Sequence, residues 1–337
     1  MIKNSFQKSK IAFLISLLIF ILPTFALAKL MYNSDIYAKN FYSSLTWQNN
    51  TLMTNMFDNI QRVDLSKPIL IGANYNTSQK DDFTFNDSSL YFGFSKKIAY
   101  TNRLAFLVLV AKSNVDLSNN NGSKDDDTRE VSMILQHKHF NKAVSKLIVF
   151  VGRSQSKTSR NSFMSRYSGG LANKASYENR FAGADVSFYK NFHFSSMYFR
   201  PETNLYFSYL AQGDINEDEN GGVSIAKTSF LSLKPTADFE LGKNFIKTRS
   251  STLNIALNIG FSYELADPNK SLESTSLQYK KTENISSFSN QGIKYNFGGN
   301  LNYIYKKFAL SARTTYSASK GFSNKEFTYG FNIGYNF

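Results

Sequence analysis

Residues 253–265 read LNIALNIGFSYEL, and their alternation of apolar and polar residues is the clearest indication of the fold. Large apolar side chains occupy every second position and alternate with Asn, Ala, Gly, Ser and Glu. Because successive side chains of a β-strand point to opposite faces, this alternation places one face against an apolar medium and the other against a polar one. The run is longer than a typical strand of a soluble sheet and matches the roughly 9–11 residues of a tilted membrane-spanning strand.

The same alternation recurs along the chain and predicts a twelve-stranded, all-β transmembrane barrel with up-and-down antiparallel topology. Long polar connections at 114–128, 154–178 and 266–291 alternate with short turns, as expected for outer loops and periplasmic turns. A soluble β-sandwich or a secreted β-helix is the alternative, but neither explains this rhythm. The predicted strands are 68–76, 83–95, 103–113, 129–140, 146–154, 179–189, 196–210, 223–242, 252–265, 292–304, 308–317 and 326–337.

The N-terminus has the features of a secretory signal peptide over residues 1–28. Three lysines in the first ten residues precede the apolar run 11–22, and a small-x-small site ends at Ala28. An inner-membrane anchor is the competing interpretation, but the run is short for a spanning helix and Pro23 follows it. We expect cleavage after Ala28 and a mature chain outside the cytoplasm.

Composition excludes several other classes of protein. The chain contains no Cys, which excludes a disulfide scaffold, a thiolate metal site and a Cys nucleophile. Aromatic residues make up 15% of the chain and hydrophobic residues 42%, which argues against disorder. The net charge of +14 is spread over many connections without an evident Lys/Arg cluster, and a secreted chain has no nucleic acid to bind.

The last predicted strand carries a pattern that is typical of an assembly signal. Its alternating apolar face is aromatic, and the chain ends on Phe337. Thr328, Gly330, Ile333 and Tyr335 resemble the polar–x–Gly–x–x–apolar–x–apolar ending that the outer-membrane barrel-assembly machinery recognises. An unpaired edge strand can be captured by strand addition, so we expect this strand to direct insertion.

A helix of about residues 51–63 is predicted ahead of the first strand, with Asn50 or Thr51 as its cap. It could plug the lumen of the barrel, and a helix lying on the membrane or a linker is the alternative. Its apolar face consists of Leu52, Met53, Met56, Phe57 and Ile60.

From about residue 69 to Phe337 the chain resembles the autotransporter β-domain, an outer-membrane translocator barrel. The resemblance rests on 131–136 with 146–152, on 200–209 with 223–242, and on 327–337. It implies a barrel of twelve strands with a helix threading the lumen, and hence a signal peptide (1–28), an N-terminal segment with the plug helix (29–66) and the barrel (67–337). The segment before the helix is too short for a passenger domain, so we expect a stand-alone barrel. Asn49-Asn50 is similar to the junction at which some members are cleaved.

No arrangement of residues predicts catalysis, a cofactor or a bound metal. His137 and His139 share one strand face but lack an evident third ligand, and the acids of 125–127 and 217–219 lack the spacing of a Ca²⁺ loop. These acids are expected in solvated outer loops.

We therefore expect a non-enzymatic, monomeric barrel in the outer membrane of a Gram-negative bacterium, whose partners are lipid and the assembly machinery. A porin-like channel for small solutes and a barrel enzyme acting at the outer rim are the alternatives. Four charged residues are expected to face the lumen as a mixed-charge network: Lys234, Asp238, Glu240 and Lys294.

Overall fold

The structure is a computed structural model that describes residues 38, 41–61, 63, 65–66, 68–80, 83–117, 122–161, 172–218, 222–248, 250–266, 272–277, 282–285, 292–319 and 325–335. Helix α1 spans Leu45–Gln61. Within the described residues, no helix combines the length and the hydropathy needed to cross a bilayer. The strands are β1 (Ile69–Lys80), β2 (Phe83–Lys97), β3 (Asn102–Leu117), β4 (Gly122–Lys138), β5 (Ala143–Asn161), β6 (Ala172–Lys190), β7 (Phe192–Phe194), β8 (Met197–Gln212), β9 (Ile215–Asn216), β10 (Val223–Ile225), β11 (Thr228–Lys247), β12 (Ser251–Glu264), β13 (Leu272–Ser276), β14 (Thr282–Ile285), β15 (Gly292–Tyr305), β16 (Phe308–Ser319) and β17 (Lys325–Tyr335).

Twelve of these strands form one closed antiparallel barrel, as the alternation predicted. Neighbours in the barrel are consecutive in the chain once β7, β9, β10, β13 and β14 are set aside, and β8 closes onto β11. The first and last strands also pair, from Ile71 opposite Tyr335 to Lys80 opposite Glu326. The barrel therefore has no open edge, which satisfies the backbone groups that lipid cannot hydrogen-bond.

The outward face of the barrel carries a belt of exposed apolar side chains. On β2, Leu90, Phe92 and Phe94 are 60%, 59% and 56% exposed, whereas Tyr91 between them points inward and is buried. Exposure of such a large apolar surface to water is unfavourable, whereas the hydrocarbon core of a membrane accommodates it.

Several strands are longer than the alternation predicted. The bounds predicted for the outer loops 114–128 and 154–178 are therefore wrong, because the flanking strands extend into them. β4 begins at Gly122 and β5 continues to Asn161. Above the apolar belt the outward residues become polar, as at Asp125, Asp127 and Arg129 on β4, while the inward residues stay polar. Both faces are then polar, so the pattern disappears although the strand continues into solvent beyond the bilayer.

The two ends of the barrel differ in their connections. Short turns follow β2, β4, β11 and β15, and a tight β7 hairpin joins β6 to β8; we name this end the inner end. At the opposite, outer end, the connections after β8 and β12 fold into a separate four-stranded sheet in the order β14-β13-β10-β9. This small sheet buries an apolar layer that consists of Ile215, Val223, Ile225, Leu272 and Ile285.

Candidate functional site: the lumen and its helix

Helix α1 lies inside the barrel, where it packs against inward-facing side chains of the wall. The five apolar residues predicted for its buried face are all within 7% exposure: Leu52, Met53, Met56, Phe57 and Ile60. The ring of Phe57 lies 5.0 Å from that of Tyr206 on β8 and 6.4 Å from that of Phe150 on β5. One side of the helix is therefore buried by aromatic and aliphatic contacts with the wall.

The C-terminal end of α1 is held near the inner end of the barrel. Lys146 on β5 donates from Nζ to the backbone oxygen of Gln61 at 2.5 Å, and Gln61 Nε2 donates to Glu202 on β8 at 3.1 Å. The last carbonyls of a helix lack intrahelical donors and carry partial negative charge, so a buried ammonium group stabilises this end. Beyond the helix, the oxygen of Leu65 accepts from both Ser95 and Arg103 at 2.7 Å.

The N-terminal end of α1 begins earlier than predicted, so the predicted cap at Asn50 or Thr51 is wrong. Gln48 donates from its backbone to the oxygen of Ser44 at 2.9 Å, and its side chain donates to Ser44 Oγ at 2.7 Å. A polar run at residues 48–51 separates this first turn from the apolar face that begins at Leu52, which hides the start of the helix from an apolar pattern. Asn49 lies inside the helix and is 2% exposed.

A buried ion pair contacts this half of the helix. Lys124 on β4 donates to Asn49 Oδ1 at 3.2 Å and pairs with Asp126 at 3.0 Å, with both charged side chains fully buried. Asp126 also accepts hydrogen bonds from Ser113, at 3.4 Å, and from Ser156. The run 125–127, expected in a solvated outer loop, therefore lies on a strand, and its middle residue faces the lumen.

A second buried ion pair fixes the chain ahead of the helix to the outer sheet. Glu217, between β9 and β10, accepts from Arg160 at 2.6 Å through both carboxylate oxygens, and each side chain is 1% exposed. The hydroxyl of Tyr42 donates to the same carboxylate at 2.7 Å. Burial, and then the charge of Glu217, raise the pKa of Tyr42 well above its usual range, so the hydroxyl stays protonated. Glu217 was expected in a solvated loop, and this is also wrong.

These contacts define the direction of the helix through the barrel. Its N-terminal end and residues 41–44 lie with the outer sheet, because Tyr42 donates to Glu217 between β9 and β10. Its C-terminal end lies with the inner turns. The chain thus runs from the outer end through the lumen to the inner end, and there it turns into β1.

The helix fills only part of the lumen. A cavity of about 1300 Å³ separates it from the opposite wall and extends from Tyr100 at the inner turns to Glu326 near the outer end. Glu240 accepts from Tyr198 at 2.6 Å and from Arg200 at 3.1 Å, and Lys294 lies 3.7 Å from Glu326. All four charged residues predicted for the lumen line this cavity: Lys234, Asp238, Glu240 and Lys294.

The strand predicted as the assembly signal completes the barrel as β17. Thr328 faces inward and hydrogen-bonds Ser78 at 3.0 Å, and Gly330 is buried. Ile333 faces outward and is 56% exposed, while Tyr335 packs edge-on against Phe308 with ring centroids 5.0 Å apart. Phe337, the fifth residue of the predicted signal, lies outside the described residues. The role of the strand in assembly stays a prediction.

His137 near the end of β4 and His139 just after it form neighbouring, hydrogen-bonded rings near the inner end. His137 bonds to Asn102 at 2.5 Å, His139 bonds to Ser145 at 2.7 Å, and the ring centroids are 4.5 Å apart. Within the described part of the chain, no three His, Cys, Asp or Glu side chains are placed to hold a metal ion.

Comparison with known proteins also indicates an outer-membrane barrel, in agreement with the geometry. The profile of the autotransporter beta-domain family matches residues 70–317. The translocator domain of the autotransporter NalP from Neisseria meningitidis is similar in structure, with a TM-score of 0.65 at 14% identity over 90% of this chain and 100% of that one. The transport unit of AIDA-I from Escherichia coli has a TM-score of 0.55 at 11% identity, over 88% of this chain and 99% of that one. The beta domain of the Bordetella autotransporter BrkA has a TM-score of 0.56 at 11% identity, over 81% of this chain and 100% of that one. No curated protein sequence gives a significant match.

A closed twelve-stranded barrel with a lipid-facing belt and a helix in its lumen defines an outer-membrane translocator barrel of a Gram-negative bacterium. The chain belongs to the autotransporter beta-domain family. In barrels of the outer membrane the short turns face the periplasm and the longer loops face the outside, which places the inner end described above in the periplasm.

The sequence alone did not identify the charged residues that hold the helix. Lys124, Asp126 and Glu130 lie an even number of residues apart and therefore share one face of β4. This spacing could have indicated a row of charged side chains facing the lumen. The pair of Arg160 and Glu217 had no such signal, since its partners come from a strand and a loop that only the fold brings together.

Proposed function

We propose that this barrel is a non-enzymatic translocator that holds its own N-terminal segment across the lumen and presents the chain ahead of Ala38 at the cell surface. The observation that carries the proposal is the direction of α1. Its N-terminal end is anchored to the outer sheet through Tyr42 and Glu217, and its C-terminal end to the inner turns through Lys146. The burial of the five apolar residues supports a role for α1 as a plug rather than a linker.

The remaining parts of the proposal follow from how such a chain reaches the membrane. Residues 1–28 would direct export, and β17 together with Phe337 would be captured by the barrel-assembly machinery. The barrel would then insert as a monomer, with its apolar belt facing lipid. Hydrogen bonds of His137 to Asn102 and of His139 to Ser145 support a structural role for the two histidines. A His139→Ala variant should therefore keep the assembly and surface display of the parent.

The experiment places a short epitope ahead of Ala38 and asks whether an antibody reaches it on intact cells. The proposal expects surface labelling without permeabilisation. A matched control carries the same epitope after Asn141, an exposed residue of an inner turn, and should be labelled only after the outer membrane is opened. Labelling of both epitopes only after permeabilisation would show that the N-terminal segment does not reach the outside.

A porin-like channel is the second candidate, and the cavity of about 1300 Å³ favours it. Its wall is polar and charged, which suits water and small solutes. Phe41, Tyr42 and Leu45 are buried, and Tyr42 is bonded to Glu217 beside the outer sheet, so we favour a closed barrel. Steady ion conductance by the intact chain would reverse that preference.

A further inference from the structure

The fold gathers at the inner end a positive charge that the linear sequence does not reveal. Residues 95–104, 136–145, 188–199, 242–252 and 304–309, which form the five inner turns, contain no Asp or Glu. The expectation that Lys and Arg are dispersed without a cluster is therefore wrong for the folded barrel. The described basic residues of these turns are Lys96, Lys97, Arg103, Lys138, Lys142, Lys190, Lys243, Lys247, Lys306 and Lys307. We call this set the inner basic ring. Four of them, Lys97, Arg103, Lys138 and Lys142, line the inner mouth of the lumen, and the other six do not line that cavity.

The outer end lacks such a uniform sign. There, exposed lysines and arginines stand beside acids, as in the pair of Lys112 with Asp127 at 3.8 Å and the pair of Arg180 with Glu178 at 2.7 Å. Neighbouring charges of opposite sign cancel at a distance, whereas the inner basic ring produces a positive potential around the whole inner rim. The barrel is therefore electrostatically polarised along its axis.

Every turn of the inner basic ring also exposes an aromatic side chain. These residues are Tyr100, Phe140, Phe194, Phe245 and Phe308. Aromatic rings at the end of a membrane-spanning segment lie at the depth of the lipid headgroups. The lysines of the same turns must then lie at that depth or just beyond it, where the phosphates are.

Several lysines of the ring lie against aromatic side chains of the inner turns. Lys190 Nζ is 5.1 Å from the ring centroid of Phe192, Lys243 is 5.2 Å from that of Phe245, and Lys306 is 5.3 Å from that of Tyr305. Such contacts keep the ammonium group beside the interface and stop it from extending into bulk water.

Two lysines of the ring occupy backbone positions that do not favour lysine. Lys142 and Lys306 have φ of 64° and 51°, in the left-handed region where Gly and Asn are the preferred residues. The turn itself would be more stable with Gly at these positions. Backbone preference therefore does not account for a lysine at either position.

We propose that the six lysines of the inner basic ring that do not line the lumen form a binding surface for anionic phospholipid headgroups in the periplasmic leaflet of the outer membrane. The phosphates of phosphatidylglycerol would accept hydrogen bonds from the lysines, while the aromatic side chains lie among the glycerol groups. Anionic lipid attracts juxtamembrane lysines, and each one near the surface adds to the attraction. Because the outer end has mixed charge, the ring also favours one orientation of the barrel across the membrane.

The test measures which lipid stays bound to the purified full-length chain. The detergent-solubilised barrel is given equal amounts of phosphatidylglycerol and phosphatidylcholine, and native mass spectrometry compares the two bound populations. The inner variant combines Lys306→Gly, which relieves the backbone, with Lys307→Gln. The matched outer variant combines Lys112→Gln with Lys157→Gln and removes the same charge at the other end. Heat-modifiable gel migration verifies that each variant is folded.

The proposal expects the parent chain to retain phosphatidylglycerol preferentially. The inner variant should lose this preference by up to about fivefold for each lysine removed, while the outer variant keeps it. Equal retention of the two lipids by the parent would overturn the proposal, and so would an equal loss in both variants. Sedimentation of the parent with purified peptidoglycan, dependent on Lys306 and without any lipid preference, would assign the ring to the cell wall instead.

Discussion

Replacing Glu217 by Ala is expected to release the outer sheet and the start of the helix without unfolding the barrel. The carboxylate accepts from Arg160 through both oxygens at 2.6 Å, from Tyr42 at 2.7 Å and from the backbone of Val223 at 2.8 Å. With the carboxylate removed, the guanidinium of Arg160 stays 1% exposed and uncompensated. Breaking a buried pair in this way costs about 3–5 kcal/mol.

That cost corresponds to an increase of the local opening equilibrium by a factor of about 150 to about 5000. Hydrogen exchange measured by mass spectrometry should show it as faster exchange in residues 41–49 and 215–225, with unchanged exchange in the barrel strands. Adding Arg160→Met to Glu217→Ala should restore part of the protection, because the second change removes the buried charge.

The matched control for this prediction is Glu178→Gln. Glu178 and Arg180 are 2.7 Å apart, but their side chains are 35% and 80% exposed, and an exposed pair contributes only about 0–1 kcal/mol. If Glu217→Ala changed the hydrogen exchange of residues 41–49 no more than Glu178→Gln does, the buried pair of Glu217 and Arg160 would not be what holds this segment in place.

Three other changes test the helix end, the lipid-facing belt and the strand packing. Lys146→Ala removes the donor to the last turn of α1, at a cost of about 1–2 kcal/mol, and should speed hydrogen exchange of residues 57–61 about tenfold or slightly more. Phe331→Lys puts a charge on the outward face, at up to about 2–4 kcal/mol, and should reduce the fraction of protein in the outer membrane, while Asn332→Lys on the lumen face should not. Gly93→Ala would place a methyl group 2.2 Å from a backbone oxygen of β3 and should lower the temperature of heat modification, whereas Gly334→Ala has no contact closer than 3.7 Å and should leave it unchanged. Equal behaviour within either matched pair would contradict the assignment of faces or of packing.

The membrane-spanning part of the fold could be predicted because lipid imposes a simple rule on it. Side chains such as Leu257 and Phe261 must be apolar where they face hydrocarbon, and their neighbours face water, so the period of two is visible in the chain. Above the bilayer that rule no longer applies. β4 and β5 continue there with polar residues on both faces, and the predicted strands consequently ended too early.

The site in the lumen could be predicted only in part. The apolar face around Met56 indicated a helix, because burial in the lumen requires the helical period. The hydrogen bonds at its two ends, from Lys146 and with Lys124, depend on strands far away in sequence. A single charged residue has no periodic pattern around it. The sequence therefore does not indicate whether these lysines face the lumen or the solvent. Likewise, the inner basic ring forms only when five separate turns meet at one end of the barrel.

The conductance of single barrels in a planar bilayer tests the central claim that the lumen is closed by the chain's own helix. The comparison is between the full chain and a variant that lacks residues 45–61, after both have shown the heat-modifiable migration of a folded barrel. We expect little or no steady current for the full chain. For the variant we expect clear, larger conductance steps, because removal of α1 joins its volume to the cavity of about 1300 Å³ beside it. Identical conductance of the two proteins would contradict the claim that α1 is a plug.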